Sequence, residues 1–317
     1  MIRMALRQAA DIPSYARGAA NFTELTGVAL SESALQRLAV DYGSLVVEAE
    51  AAEAVAMVRV PKAEEAVEWR KIPEPDSEVM AVSADGVMLH LRDEGWKEVK
   101  VMSVSAVHPL QSSADERKQV RLTNHSYRAG LWDAKTFSQH YWAESCRRGV
   151  EKAKQVVCIS DGAAWIWAMV FICFAHRIEV LDWWHVLQYL WQIVGTAAGL
   201  SPADTTAWID AQKAALAHSQ HRLLFRRIRA LHPRSAPLPD AVRQAVGYLW
   251  NNRRRIDYAA YRQAGLPIGS GTVESAAKTL VQQRMKQAGM RWSRTGAQSL
   301  LALRARLLSD RWHDLPI

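Results

Sequence analysis

The chain is 317 residues long, enough for one large domain with additions or for two, and 49% of it is hydrophobic, which excludes general disorder. Its net charge of +8 is uneven: residues 201–317 hold 19 Lys or Arg against 7 Asp or Glu, so the first 200 residues are acidic on balance. A basic third beside an acidic part suits a partner rich in phosphate and a pocket for cations. The cysteines Cys146, Cys158 and Cys173 form no CxxC pair and imply no disulfide framework. Met1 to Arg17 has charges and no continuous apolar stretch, so no signal peptide is expected, and the longest apolar run, Ala163 to Ala175, is too short to span a membrane. A reducing, cytoplasmic setting is expected.

In chain order, Tyr15 to Gly27 reads as a short helix stopped by Thr26-Gly27. Ser31 and Ser33 cap a second, in which Leu35, Leu38, Tyr42, Leu45 and Val46 recur at helical spacing. The pair fits a helix-turn-helix or, equally, a plain hairpin bracing the rest. Residues 1–60 are thus a helical segment. A linker marked by Pro61, Pro73 and Pro75 follows over 61–77.

Strand patterns begin with Val79 to Ala84, continue with Glu98 to Val107, and return at Gln119 to Asn124. Asp93 and Glu94 read as a solvated turn before Gly95. Leu131 to Arg148 is helical, Val156 to Ser160 a buried strand, Ala163 to Phe174 a helix, Ile178 to Leu181 a short strand, and Asp182 heads a helix to Val194. The order β, β, β, α, β, α, β, α predicts a mixed sheet with helices against it over 78–194. Residues 195–262 break that rhythm with Pro-separated helices rich in arginine, including Arg253, Arg254 and Arg255. Residues 263–317 supply a last pair of helices.

Three acids draw notice in this layout. Asp85 and Asp161 each end an apolar run and precede a glycine, and Glu274 lies in the first turn of a helix that Thr272 can cap, after the loop Pro267-Ile268-Gly269-Ser270-Gly271. Clustered carboxylates suit Mg²⁺ or Mn²⁺, and two such ions can serve the attacking and leaving oxygens of a phosphodiester. Asp182 and His185 share a helix face, as an accessory pair, as second-layer support for a metal, or as a helix cap alone. The loop has no GKS or GKT ending, which argues against a nucleotide cofactor. Lys278, one turn after Glu274, can meet phosphate or pair with that acid. Arg284, Lys286, Arg291 and Arg294 form a basic run around Trp292, suited to DNA backbone contacts, and Trp183 and Trp184 can support an unpaired base.

The motifs Ser83-Ala84-Asp85-Gly86-Val87, Ile159-Ser160-Asp161-Gly162, Asp182-Trp183-Trp184-His185 and Gly269-Ser270-Gly271-Thr272-Val273-Glu274-Ser275 resemble those of bacterial insertion-sequence transposases of the DDE class, closest to the ISKra4 family. The tail Gly289-Met290-Arg291-Trp292-Ser293 with Gly296-Ala297-Gln298 adds to the resemblance, which covers roughly residues 20–312. It implies an RNase H-like fold with Asp85, Asp161 and Glu274 as catalytic, metal-binding triad and residues 195–262 as a helical insertion. It also implies nicking at element ends, attack of the freed 3′-OH on target DNA, two divalent ions when DNA is bound, and at least a dimer on DNA. The family's longer N-terminal recognition region is not matched, as in a truncated copy, an alternative start, or a form put to other use. Two rival expectations stand beside this one: a metal-dependent nuclease on the same fold, and a non-catalytic DNA-binding regulator.

Overall fold

The computed structural model describes residues 1–58, 72–110, 119–197, 199–232 and 237–316. Most of the predicted linker therefore lies outside the described residues. Three helices come first: α1 (Ile2–Asp11), α2 (Tyr15–Thr26) and α3 (Glu32–Val58). Ser14 caps α2 by accepting from the Arg17 amide, and Gly27 ends it in the left-handed region at φ 69°. Ser31 caps α3 through the amide of Ala34. Within the segment read as helical, no separate element marked α1, which has no side-chain cap and buries mainly small residues, Ala5, Ala9 and Ala10 with Leu6.

Among the described residues five strands make one sheet: β1 (Val79–Leu91), β2 (Gly95–Leu110), β3 (Gln119–Gly130), β4 (Gln155–Ser160) and β5 (Ile178–Leu181), in the order β3-β2-β1-β4-β5. The first three form an antiparallel meander, and β4 and β5 add in parallel to β1. α4 (Ala134–Arg147), α5 (Ala164–Cys173) and α6 (Trp183–Val194) connect and flank the later strands. This is an RNase H-like sheet flanked by helices. One expectation needs correction: β1 does not stop at Ala84. Asp85 and Gly86 look like a turn signal, but antiparallel pairing with Val101 and Lys100 carries the strand through them.

A helical insertion follows α6: α7 (Pro202–Ala217), α8 (His221–Ala230), α9 (Asp240–Asn251) and α10 (Tyr258–Gln263). The chain then enters α11 (Gly271–Ala276), a π-helical turn at Ala277–Gln282, α12 (Gln283–Met285) and α13 (Arg294–Leu308).

Two apolar cores form. Met80, Val82 and Ala84 of β1 face one, shared with α4, α5, α6 and the insertion. Val87, Leu89 and Leu91 face the other, shared with α1, α2, α3, α11 and α13. The N-terminal helices are thus packed into the unit that carries the sheet. α3 approaches α13 closely at Gly43, where a Cβ would stand 2.7 Å from the carbonyl oxygen of Ser299. Any larger residue there would push the two helices apart.

Candidate metal centre

The parallel ladders fix the centre of the site. β1 pairs with β4 as Ser83 to Ile159, and β4 with β5 as Ser160 to Leu181. Continuing each register by a residue or two puts Asp85, Asp161 and Asp182 on one row across three neighbouring strands. The Ser160 hydroxyl donates to the Ala84 carbonyl and the Asp182 amide to the Ser160 carbonyl, which holds the row together. Side chains alternate along a strand, so Asp85 shares its face with Val87 and Leu89, toward the core that includes α11. Glu274 rides on α11, which packs across β1 and β2.

Asp161 is held from two directions. Its carboxylate accepts the Ala163 amide at 3.0 Å, and its carbonyl accepts the hydroxyl of Tyr248 from α9. Gly162 is required here. It sits at φ 91°, and a Cβ would meet the Tyr248 hydroxyl at 2.5 Å.

Asp182 is fully buried and caps α6. One carboxylate oxygen accepts the His185 amide at 2.8 Å and His185 Nδ1 at 3.1 Å. The other accepts the amide of Ser270 and, at 2.8 Å, its hydroxyl. A carboxylate has about four lone-pair sites, and all four are used. With Nδ1 donating to Asp182, Nε2 is the imidazole nitrogen left for a partner. Ser270 heads α11 but turns its hydroxyl to Asp182 rather than capping, so the predicted cap at Thr272 is replaced by a tie between α6 and the glutamate helix.

Asp182, His185 and Glu274 have donor atoms within 4.8 Å of one another, a spacing that suits a divalent cation, with Asp182 supporting the cluster because its own lone pairs are taken. Electrostatics extend this cluster to the row. Burial pushes the Asp85 carboxyl above its usual range, and the charges of Asp161 and Glu274 push it further, against the Gly86 amide and His185. His185 is raised, first by its bond to Asp182 and then by the charges of Asp182, Asp161 and Glu274, against burial. Burial works to raise Asp182, but its hydrogen bonds from His185 and Ser270 hold it low. Carboxylates that repel each other in a half-buried hollow fit a hard cation with oxygen ligands.

The other predicted residues are scattered. Lys278, Lys286 and Arg291 are exposed. Arg294 is tied to Glu94, which is therefore paired rather than merely solvated, and to the Leu131 carbonyl. Arg284 and Trp292 do not belong to a surface run: they are 1% and 8% exposed, and the Trp292 ring nitrogen donates to the Met285 carbonyl. Arg255 pairs with Glu179, Arg253 lies over the Trp250 ring, and Arg254 is exposed. Trp183 packs edge-on against Tyr258 under Arg262, whereas Trp184 is 59% exposed beside Gly269. Sequence reasoning missed Ser270 and Tyr248 as supports. A polar residue in the glycine loop was a faint signal for the first; nothing local marked the second.

No protein-family model matches the chain, and no curated protein matches it. The sheet order and the Asp182–His185–Glu274 cluster are consistent with the broad DDE-transposase-like superfamily. Among the described residues, no helix is long and apolar enough to cross a membrane.

Proposed function

We propose that the chain is a metal-dependent DNA transposase that cuts element ends and joins the 3′-OH ends to target DNA. The observation that carries this reading is the register row of Asp85, Asp161 and Asp182 at the carboxyl side of the parallel strands, faced by His185 and by Glu274. Asp85, Asp161 and Glu274 would hold Mg²⁺ or Mn²⁺, which when bound supplies Lewis acidity and charge neutralisation at a phosphodiester. Asp182 orients His185, whose Nε2 can hold a proton against a phosphate or leaving oxygen. Tyr248 and Gly162 keep Asp161 in place.

DNA as partner is supported by the insertion: residues 195–262 carry 11 Lys or Arg against 4 Asp or Glu, a surplus close to that of the whole chain. Trp184 offers a stacking plane at the rim of the site. Two element ends must be joined in one reaction, so the active form on DNA is at least a dimer.

The test is cleavage and strand transfer on labelled element-end DNA from the sequence flanking the gene, with Mg²⁺ or Mn²⁺, comparing wild type with Glu274→Gln. Metal-dependent joined products lost in the variant are expected. Cutting without joining would move the assignment to a nuclease on this fold, and binding with neither product to a non-catalytic regulator.

A further inference from the structure

The second core contains an unresolved charge problem. Arg284 is 1% exposed, yet its guanidinium makes one hydrogen bond, from Nε to the Ala9 carbonyl at 3.2 Å. Its Nη1 and Nη2 are buried with no partner. The rings of Tyr15 and Trp292 lie 4.6 and 5.5 Å from its central carbon and supply only their π-faces. Arg304, also buried, stands close enough to oppose the Arg284 charge, and its own donors are spent on the carbonyls of Leu280, Ala10 and Thr279. Among the described residues no carboxylate hydrogen-bonds either guanidinium, and Asp11 acts on Arg304 only through its charge. A buried, half-bonded charge of this kind is costly unless an anion meets it.

A cavity of about 260 Å³ opens at this point, and Arg284 lies in its wall. Arg92 and Arg291, both exposed, stand at the rim. Ser14 and Ser293, the N-caps of α2 and α13, line it as well, so two helix N-termini of 12 and 15 residues border one hollow. Glu32 is the single acidic residue in the lining, against three arginines.

We propose that this pocket binds a phosphate group, with Arg284 as its floor and Arg92 and Arg291 as its rim. The buried, half-bonded guanidinium of Arg284 in the wall of this cavity carries the inference; the helix N-termini and the rim add to it. A water molecule could satisfy those donors but would leave the charge uncompensated. The pocket lies at the hairpin end of β1, six residues from Asp85, or roughly 20 Å, about six base pairs along a duplex. The phosphate could therefore belong to a nucleic-acid backbone or to a free phosphorylated molecule. The pocket itself rests on neither the metal centre nor the proposed activity.

The experiment is calorimetric titration of the full-length protein with inorganic phosphate, with melting temperature as a second readout. The expected result is one site and a rise in melting temperature with phosphate, since a ligand of the native state stabilises by mass action. Arg284→Met should weaken binding about tenfold or more, the size expected for losing charge-assisted hydrogen bonds. Arg92→Ala with Arg291→Ala does not disturb the core and should weaken it similarly, which keeps the test decisive if Arg284→Met fails to fold. Displacement of phosphate by a short duplex would name the nucleic-acid backbone as the source; phosphate bound without such competition would name a free phosphorylated ligand. No heat and no melting shift with phosphate in wild type, or wild-type binding in the rim variant, would overturn the proposal.

Discussion

Asp161 follows Asp85 by 76 residues, and 76 is also the offset of the parallel ladder that sets Ser83 opposite Ile159. The same holds for Asp161 and Asp182, separated by 21 residues in a ladder that sets Ser160 opposite Leu181. Three acids are therefore level by construction, and the repulsion that Asp161 exerts on Asp85 is built into the sheet rather than into flexible loops.

That repulsion has a measurable sign. The Asp85 carboxyl is raised in the folded state by burial and by Asp161 and Glu274. The folded chain thus holds this proton more tightly than the unfolded one. The stabilisation it gives is complete below the ordinary carboxylate range and lost as pH rises through the raised value. At neutral pH the Asp85 charge costs stability, so Asp85→Asn should raise the metal-free melting temperature by about 1–3 °C. It should also abolish the further rise that Mn²⁺ gives to wild type. A variant that melts lower without metal, or that keeps the Mn²⁺ increment, would contradict the arrangement.

Asp182 is expected to act as a positioning residue rather than as a ligand, because His185 and Ser270 occupy its lone pairs. Asp182→Asn should leave Mn²⁺ binding in place but weaken it about 10- to 100-fold, the usual cost of losing an outer support. Nitrogen chemical shifts of His185 at a fixed pH should show the Nδ1–H tautomer in wild type and a mixture in the variant. Ser270→Ala, which removes one donor from the other oxygen, should leave that tautomer unchanged. Complete loss of Mn²⁺ binding in a folded Asp182→Asn protein would make Asp182 a ligand after all.

Much of this architecture could be read before the coordinates. Gly27 and Ser31 mark helix ends that the structure keeps, because capping is decided by residues a few positions apart. Asp85 was misplaced at a strand end because Asp-Gly is locally a turn signal, and only pairing with β2 overrules it. Arg284 resembled its exposed neighbours Lys286 and Arg291 in sequence. Its burial depends on Tyr15, some 270 residues away, which no local pattern can announce. Ser270 and Tyr248 belong to the same class: their partners, Asp182 and Asp161, are distant in the chain.

His140 should make the protein acid-labile. Burial first, then the Arg128 charge, pushes its imidazole down to about 3, and the ring stacks on Trp132 with centroids 4.0 Å apart. Its Nδ1 lies 3.2 Å from Arg128 Nη1, a bond only the neutral ring can accept. The unfolded chain takes up this proton near pH 6.5 and the folded one does not, so stability is full above that value and falls as pH drops toward 3. The loss by pH 5 is about 2 kcal/mol. His140→Gln should remove this part of the slope in urea melts between pH 7 and 5; an unchanged slope would assign the acid sensitivity elsewhere.

The basic residues of the insertion and of the glutamate helix should separate into two groups by their effect on DNA. Arg254 and Lys278 are exposed and free to meet phosphates, whereas Arg255 is committed to Glu179 at 2.6 Å and lies over Trp167. Each phosphate contact adds about 0.9 to the slope of log affinity against log salt. Arg254→Ala and Lys278→Ala should therefore each lower that slope by about one on a duplex, with melting temperature unchanged. Arg255→Ala should leave the slope alone and cost about 1–2 kcal/mol of stability, because it strands half-buried Glu179 with Arg177 as its remaining partner. Fluorescence anisotropy over a salt series, run beside urea melts, distinguishes the groups. Equal slope losses from all three would show that Arg255 leaves its carboxylate to reach DNA.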